Sequence, residues 1–214
     1  DAQESRGLGD VYKRQALAKG GAMATTIDVA QYIYDKKGWI DAWRLAKLTY
    51  YSQAWSLGWF GKPMVAEEFQ AWTDGPVEPN LHAENRYHRS GPMSAILPSA
   101  KVSNLSEDDK AIIDAVLEFY GDLNKDELIA LTHSEQPWAE ARQGVSEGAP
   151  SRNPLSQSTM RRFYAVQEMK GGKIPHRPRL KKAASASEIQ ERMRGAVIRL
   201  SLIHISEPTR LLSI

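Results

Sequence analysis

The stretch Arg44–His82, RLAKLTYYSQAWSLGWFGKPMVAEEFQAWTDGPVEPNLH, decides how this chain folds. Its first half reads as a helix opened by Asp41 and broken at Gly61-Lys-Pro. Along it Trp43, Leu45, Leu48, Tyr50, Tyr51, Trp55, Leu57 and Trp59 leave little polar surface. The charges Arg44 and Lys47 stand one turn apart near its start. A helix that is apolar nearly all round lies inside a bundle rather than on it. The second half alternates over Glu67–Thr73 as a short strand, with Phe69 and Ala71 on one face and Gln70 and Trp72 on the other. Asp74-Gly75-Pro76 is turn chemistry: Asp bonds its own backbone, Gly accepts positive φ and Pro fixes the exit.

Outward from this stretch, the spacing predicts helices on both sides. Thr25 or Thr26 caps one that runs to about Lys37, carries Ile27, Ala30, Ile33 and Tyr34 on one face, and ends at Gly38. Pro79-Asn80 starts another, to about His88, and Pro92–Asn104 reads as a loop or a weak strand pair. Ser106 caps a helix with acids in its first turn and Ile112, Ile113, Val116 and Tyr120 inward, ending at Gly121. Two short helices, Lys125–His133 and Pro137–Gln143, precede a last one capped by Ser156, carrying Met160, Phe163 and Tyr164 and stopped by Gly171-Gly172. The expected fold is mainly α: a single compact helical domain around a buried central helix, with a small β-strand or hairpin element.

The two ends stand apart. Ser5–Gln15 (SRGLGDVYKRQ) and Leu200–Arg210 (LSLIHISEPTR) can be encoded by DNA segments that are reverse complements of each other. Such an inverted pair resembles the transposase adapters used in DNA library preparation. Residues 1–22 and 200–214 are therefore expected to be adapter or upstream artefact, with the genuine frame beginning at Met23. Residues 173–199 begin with Lys173–Lys182, KIPHRPRLKK, and read as a basic, flexible tail. The domain itself is expected over residues 23–172, one domain by length, with no internal repeat.

Composition narrows the chemistry. The chain has six Trp to fill a core and no cysteine, so disulfides and thiolate metal sites are excluded. That fits a reducing cytoplasm, which is the expected location, and no apolar run is long enough for a membrane partner. The net charge of +2 is too small to indicate nucleic acid, and the basic run lacks an aromatic platform or recognition helix. His133 with Glu135, or His82 with Glu84, could serve as a general acid–base pair. The plainer role for His133 is to tie its helix while Trp138 fills core, and no Gly-x-Ser-x-Gly elbow or phosphate-cradling loop accompanies either His. The scattered histidines show no metal-ligand pattern, so neither metal nor cofactor is expected.

Trp72-Thr-Asp-Gly-Pro-Val is the sharpest local feature. Trp72 is expected as a buried anchor under a rigid loop, and the loop with the following helix as a partner-binding surface. Asp74, Gly75, Pro76, Val77, Glu78, Asn80 and Glu84 are the candidate partner-binding residues. Trp55, Trp72, His133 and Trp138 are the structural anchors.

Several blocks in order also resemble a known family, the Panacea domain of SocA-like and phage-associated GepA-like antitoxins. Leu45-Ala-Lys-Leu-Thr-Tyr-Tyr-Ser-Gln-Ala-Trp is similar to its Leu-Gln-Lys-Leu-x-Tyr-Tyr-x-Gln-Ala-x helix. Gly61-Lys-Pro-Met follows, and then Phe69-Gln-Ala-Trp-Thr-Asp-Gly-Pro-Val, like the family's Ala-Trp-x-x-Gly-Pro-Val. Leu131-Thr-His-Ser-Glu-Gln-Pro-Trp is like its Thr-His-x-x-x-Pro-Trp pair, and the helix around Met160–Tyr164 closes the match over roughly Thr26–Met169. Ala46, Thr49 and His82 depart from the pattern and bear on local packing and partner choice. The resemblance implies no catalytic residues and a cognate protein toxin as partner. In some members the same contact delivers the toxin to a protease, as an adaptor. Two other functions would need different surfaces. A phage-associated hydrolase would need His133 or His82 in a cleft with a base, and a DNA-binding regulator a continuous basic face.

Overall fold

Most elements of the computed structural model pack against one central helix. The structure describes residues 23–86 and 95–180. In chain order these are α1 (Thr26–Lys37), α2 (Ala42–Phe60), β1 (Gln70–Trp72), β2 (Gly75–Val77), α3 (Pro79–Asn85), a 3-10 turn at Val102–Asn104, α4 (Glu107–Tyr120), α5 (Lys125–Ser134), α6 (Gln136–Ala141) and α7 (Gln157–Lys170). The mainly α fold with a two-stranded element is thus as the sequence predicts. Four differences are local. β1 shortens to three residues, α6 stops at Ala141, and no strand forms in the described part of 92–104. The fourth is at residues 173–180, expected as the start of a flexible tail. They have no regular secondary structure, but Pro175 is buried and the Arg177 guanidinium lies 4.7 Å from the centre of the Phe60 ring, so this part is tethered. Residues 1–22, 181–199, 200–214 and the expected end of α3 at His88 lie outside the described residues.

Helix α2 is the core. Thirteen of its 19 residues are buried, among them Leu45, Leu48, Tyr50, Tyr51, Ala54 and Trp55. Asp41 caps it through the amides of Trp43 and Arg44, and Gly61, left-handed at φ 65°, closes it. Apart from the half-buried Arg44, its polar residues are buried too and need partners within the protein. Gln53 accepts from Met64 N and Val65 N and donates to Val65 O, and Ser56 donates to Lys62 O. Together they fold the coil after α2 back along the helix. Ser52 and Thr49 bond the carbonyls of Leu48 and Leu45, one turn back.

The most extensive packing on α2 is that of α7. Aromatic edges dominate it: Tyr164 meets Trp55, Tyr50 and Tyr51 at centroid distances of 5.0, 6.5 and 6.4 Å. On the other side Tyr51 stacks on Tyr120 of α4 at 4.1 Å, and Trp55 Nε1 donates to the Tyr120 hydroxyl. The close approach of α7 depends on Gly58, where an added Cβ would come within 2.5 Å of Tyr164 Cβ and 3.0 Å of its backbone carbon. Gly58→Ala should gain up to about 1 kcal/mol of helix propensity and lose about 1–3 kcal/mol to overpacking. The expected net result is a lower melting temperature by thermal unfolding, and an unchanged or raised one would show that α7 can shift without cost.

Candidate functional site

The hairpin β1–β2 sits over the first half of α2, and its turn is fixed from below. Gly75 has φ 101° and a Cβ there would lie 2.5 Å from Lys47 Cε and 2.8 Å from Thr132 Oγ1, so only glycine fits. Lys47 is fully buried, and its ammonium donates to Pro76 O at 3.3 Å. Burial pulls its pKa down to about 8, against the favourable charges of Asp74 and Asp41. From the side, Trp138 Nε1 donates to Trp72 O at 3.0 Å, and Trp138 stacks on His133 at 3.8 Å. Arg142 donates to Ala71 O, and through its other nitrogen to Ala149 O and Ser146 O. One guanidinium therefore ties the loop 145–152 to the hairpin. The free edge of β1 is covered as well: Ala71 N donates to Asn153 O and Leu155 N to Phe69 O, both within 2.9 Å.

Between the hairpin, the start of α2, α3 and this loop lies an open cleft of about 410 Å³. Ala42, Ala46 and Val77 give it a small apolar lining, and Trp43, Trp72 and His82 give it aromatic walls. Both indoles are oriented by the chain's own acceptors. Trp43 Nε1 donates to Asp74 Oδ2 at 3.1 Å, and Trp72 Nε1 to Gln70 Oε1 at 2.9 Å. Trp72 also meets the His82 ring edge-on at 4.7 Å, and the Lys125 ammonium lies 4.5 Å from the Trp43 ring centre. On the loop side the lining ends in Pro150, Ser151 and the exposed Arg152.

This arrangement redistributes the residues singled out in the sequence. Of the partner-binding candidates, Asp74 and Asn80 are exposed and Glu84 is half-buried, bonded to Ser99 N. Gly75, Pro76, Val77 and Glu78 are buried. Glu78 was expected on the outer face. It is instead the N-cap of α3, accepting from Asn80 N and Leu81 N, and it also accepts from Thr26 Oγ1 of α1. Pro favours the first helical position, so Pro79 marks the residue before it as the cap, although Glu is not a preferred capping residue. Among the anchors, Trp55 is in the core, whereas Trp72, His133 and Trp138 are half-buried around the hairpin. Trp72 serves as a cleft wall rather than core filling. Trp43 and Arg152 were not singled out as site residues, because a Trp in a helix and an Arg in a loop carry no local signature.

Of the possible acid–base pairs, His133 with Glu135 does not form. Glu135 turns away from His133 into the aromatic core, accepting from Tyr164 at 2.6 Å and Tyr51 at 3.3 Å. His133 stacks on Trp138, with a buried Nε2 that has no hydrogen-bond partner, and its pKa is lowered by burial and then by Lys47. Among the described residues, no group of three or more His, Asp or Glu could hold a metal, and no helix is long and apolar enough to cross a membrane.

Residues 45–139 match the family described as antitoxin SocA-like, Panacea domain. The matched segment runs from within α2 to within α6 and includes the hairpin. No curated protein and no solved structure matches the chain.

Two measurements check this site. Glu78→Ala should cost about 2–3 kcal/mol, since it removes a cap and strands a buried hydroxyl and amides, while Asp74→Ala should cost less than about 1 kcal/mol. Equal losses in denaturant unfolding would refute the separation of buried cap from exposed rim. The second concerns pH. Burial raises the Glu135 carboxyl to about 7, although its tyrosine hydrogen bonds pull the other way. The folded state thus holds this proton more tightly than the unfolded one, and stability falls as pH rises from about 4.5 to about 7. Glu135→Gln removes that loss. Its stability relative to the parent should rise between pH 5 and 8, a comparison in which the opposite contribution of His133 cancels; a constant difference would show that Glu135 ionises freely.

Proposed function

We propose that this protein is the antitoxin of a toxin–antitoxin system, associated with a prophage or mobile element, and that it neutralises a cognate protein toxin by direct contact. The observation that carries this reading is the coincidence of family and geometry. The Panacea segment builds the hairpin, and the hairpin forms one wall of an open, aromatic-walled cleft whose indole N–H groups are already satisfied. Exposed aromatic surface held rigidly by internal bonds is the composition from which protein–protein hot spots are made. Delivery of the bound toxin to a protease would use the same contact and requires no chemistry of this chain.

Neither alternative function has an observation in its favour. A hydrolase needs His133 or His82 aligned with a base, and Glu135 and Glu84 are committed to tyrosines and a backbone amide. The test of the antitoxin reading is genetic and physical together. The reading frame beside this one in the source DNA should arrest growth when expressed alone. Co-expression of this protein should restore growth, and the two should co-purify at a fixed ratio. A toxic neighbour that this protein neither binds nor relieves would overturn the reading, as would the absence of a toxic neighbour on either side.

A further inference from the structure

The cleft has a chemistry that selects what enters it. Both indole N–H groups are spent on Asp74 and Gln70, so Trp43 and Trp72 offer an occupant apolar ring surface, not hydrogen bonds. The small side chains Ala42 and Ala46 leave depth beside them, and a volume of about 410 Å³ is enough for a few side chains of a peptide. Charge is uneven around this apolar space. Arg152 is exposed on the lining and has no hydrogen bond or ion pair among the described residues, and Lys125 adds a second cation beside Trp43. The acidic group that lines the cleft, Asp74, already accepts from Trp43.

Main-chain recognition by strand addition is closed off. One edge of β1 pairs with β2 and the other is occupied by Asn153–Leu155, while β2 packs on α2. An occupant must therefore be read by its side chains. A nucleotide would also stack on indole and pair with arginine, but the small apolar lining of Ala42, Ala46 and Val77 suits an apolar side chain better than a sugar-phosphate.

We propose that this cleft captures a short acidic segment of the protein partner: a large apolar side chain lodges against Trp43 and Trp72, and a neighbouring carboxylate pairs with Arg152. The inference rests on the protein-binding reading above and gives it a partner chemistry. Arg152 is suited to the role because a guanidinium can take a carboxylate through two parallel hydrogen bonds. The loop that presents it is fixed in advance by Arg142 and by Thr73 Oγ1, which donates to Ala149 O, so little ordering remains to be done on binding.

The test pans a library of random heptapeptides displayed on phage against the full chain, Arg152→Glu and Ala46→Trp. The parent should enrich peptides with a large apolar residue beside Asp or Glu. Arg152→Glu, at an exposed residue with no hydrogen bond or ion pair to lose among the described residues, should weaken the best synthetic peptide by about tenfold or more and shift enrichment to Lys or Arg beside the apolar residue. Ala46→Trp fills the cleft and should abolish enrichment, with its melting curve confirming a folded chain. Peptides without this pattern, or the same peptides on all three proteins, would overturn the proposal. A labelled oligo-dT that binds the parent and is lost with the same substitutions would overturn it too, by assigning the cleft to nucleic acid. The outcome separates from that of growth rescue. Toxin neutralisation that survives Arg152→Glu, with no peptide enriched, removes this inference and leaves the antitoxin reading intact. Motif enrichment without neutralisation does the reverse.

Discussion

Helix α2 has almost no face for water, and this constraint organises the rest of the protein. A polar group on an ordinary helix can point outward at little cost. On α2 it cannot, so a buried donor or acceptor that its own helix does not satisfy, as it does Thr49 and Ser52, becomes a demand on another element. Gln53 and Ser56 are met by the coil that follows the helix, and Trp55 by the Tyr120 hydroxyl. The most demanding group is Lys47. Its ammonium is taken out of water into a site whose nearest acceptor is the Pro76 carbonyl, and the lowered proton affinity reflects how poorly that compensates for lost hydration. A buried charge of this kind is weak evidence for stability. It does specify a geometry, because the carbonyl, and with it the turn, must sit over the amine.

The hairpin is accordingly an accessory of the helix beneath it. Three residues per strand would not hold together in water by their own pairing. What holds them is Lys47 below, Trp138 at the Trp72 carbonyl, Arg142 at the Ala71 carbonyl and the segment Asn153–Leu155 along the outer edge. The supports come from three separate parts of the chain, α2, α6 with its C-cap Arg142, and Asn153–Leu155, and converge on about six residues. The exposed side chains of so short a strand pair can then be displayed in one orientation, as a rigid binding surface requires.

How much of this was legible depends on whether the signal is local. Periodicity and caps gave the helices, because Thr25, Asp41, Ser106 and Ser156 do their capping within three residues of themselves. The centrality of α2 was legible from its composition, and the hairpin from Asp74-Gly75-Pro76. The cleft was not. Its lining joins Ala42–Lys47, Trp72–Val77, His82 and Pro150–Arg152, parts of the chain that only the fold brings together. Glu78 was misplaced because a carboxylate in a turn reads as exposed, although its position before Pro79 marks it as a cap. Glu135 was paired with His133 by proximity in sequence. The helix break between α5 and α6 sends the two side chains in different directions, one into the tyrosine cluster and one onto Trp138.

The same division bears on how one fold could serve many partners. Lys47, Gly75, Pro76, His133 and Trp138 hold the hairpin in place, and all lie within the segment 45–139 that matches the Panacea family. Trp43 and Pro150–Arg152, which supply one aromatic wall and the exposed arginine, lie outside it. The division is incomplete, since the supports Arg142 and Asn153–Leu155 lie outside this segment and the wall residue Trp72 lies inside it. Changing the display residues would alter which side chains fit the cleft, while the buried lysine, the glycine above it and the arginine clamp would still fix its shape. A family that shares the supports can then share a fold without sharing a partner. In this chain the cleft sets an apolar, aromatic wall beside an arginine that has no hydrogen bond or ion pair among the described residues, and we propose that this pairing sets partner choice.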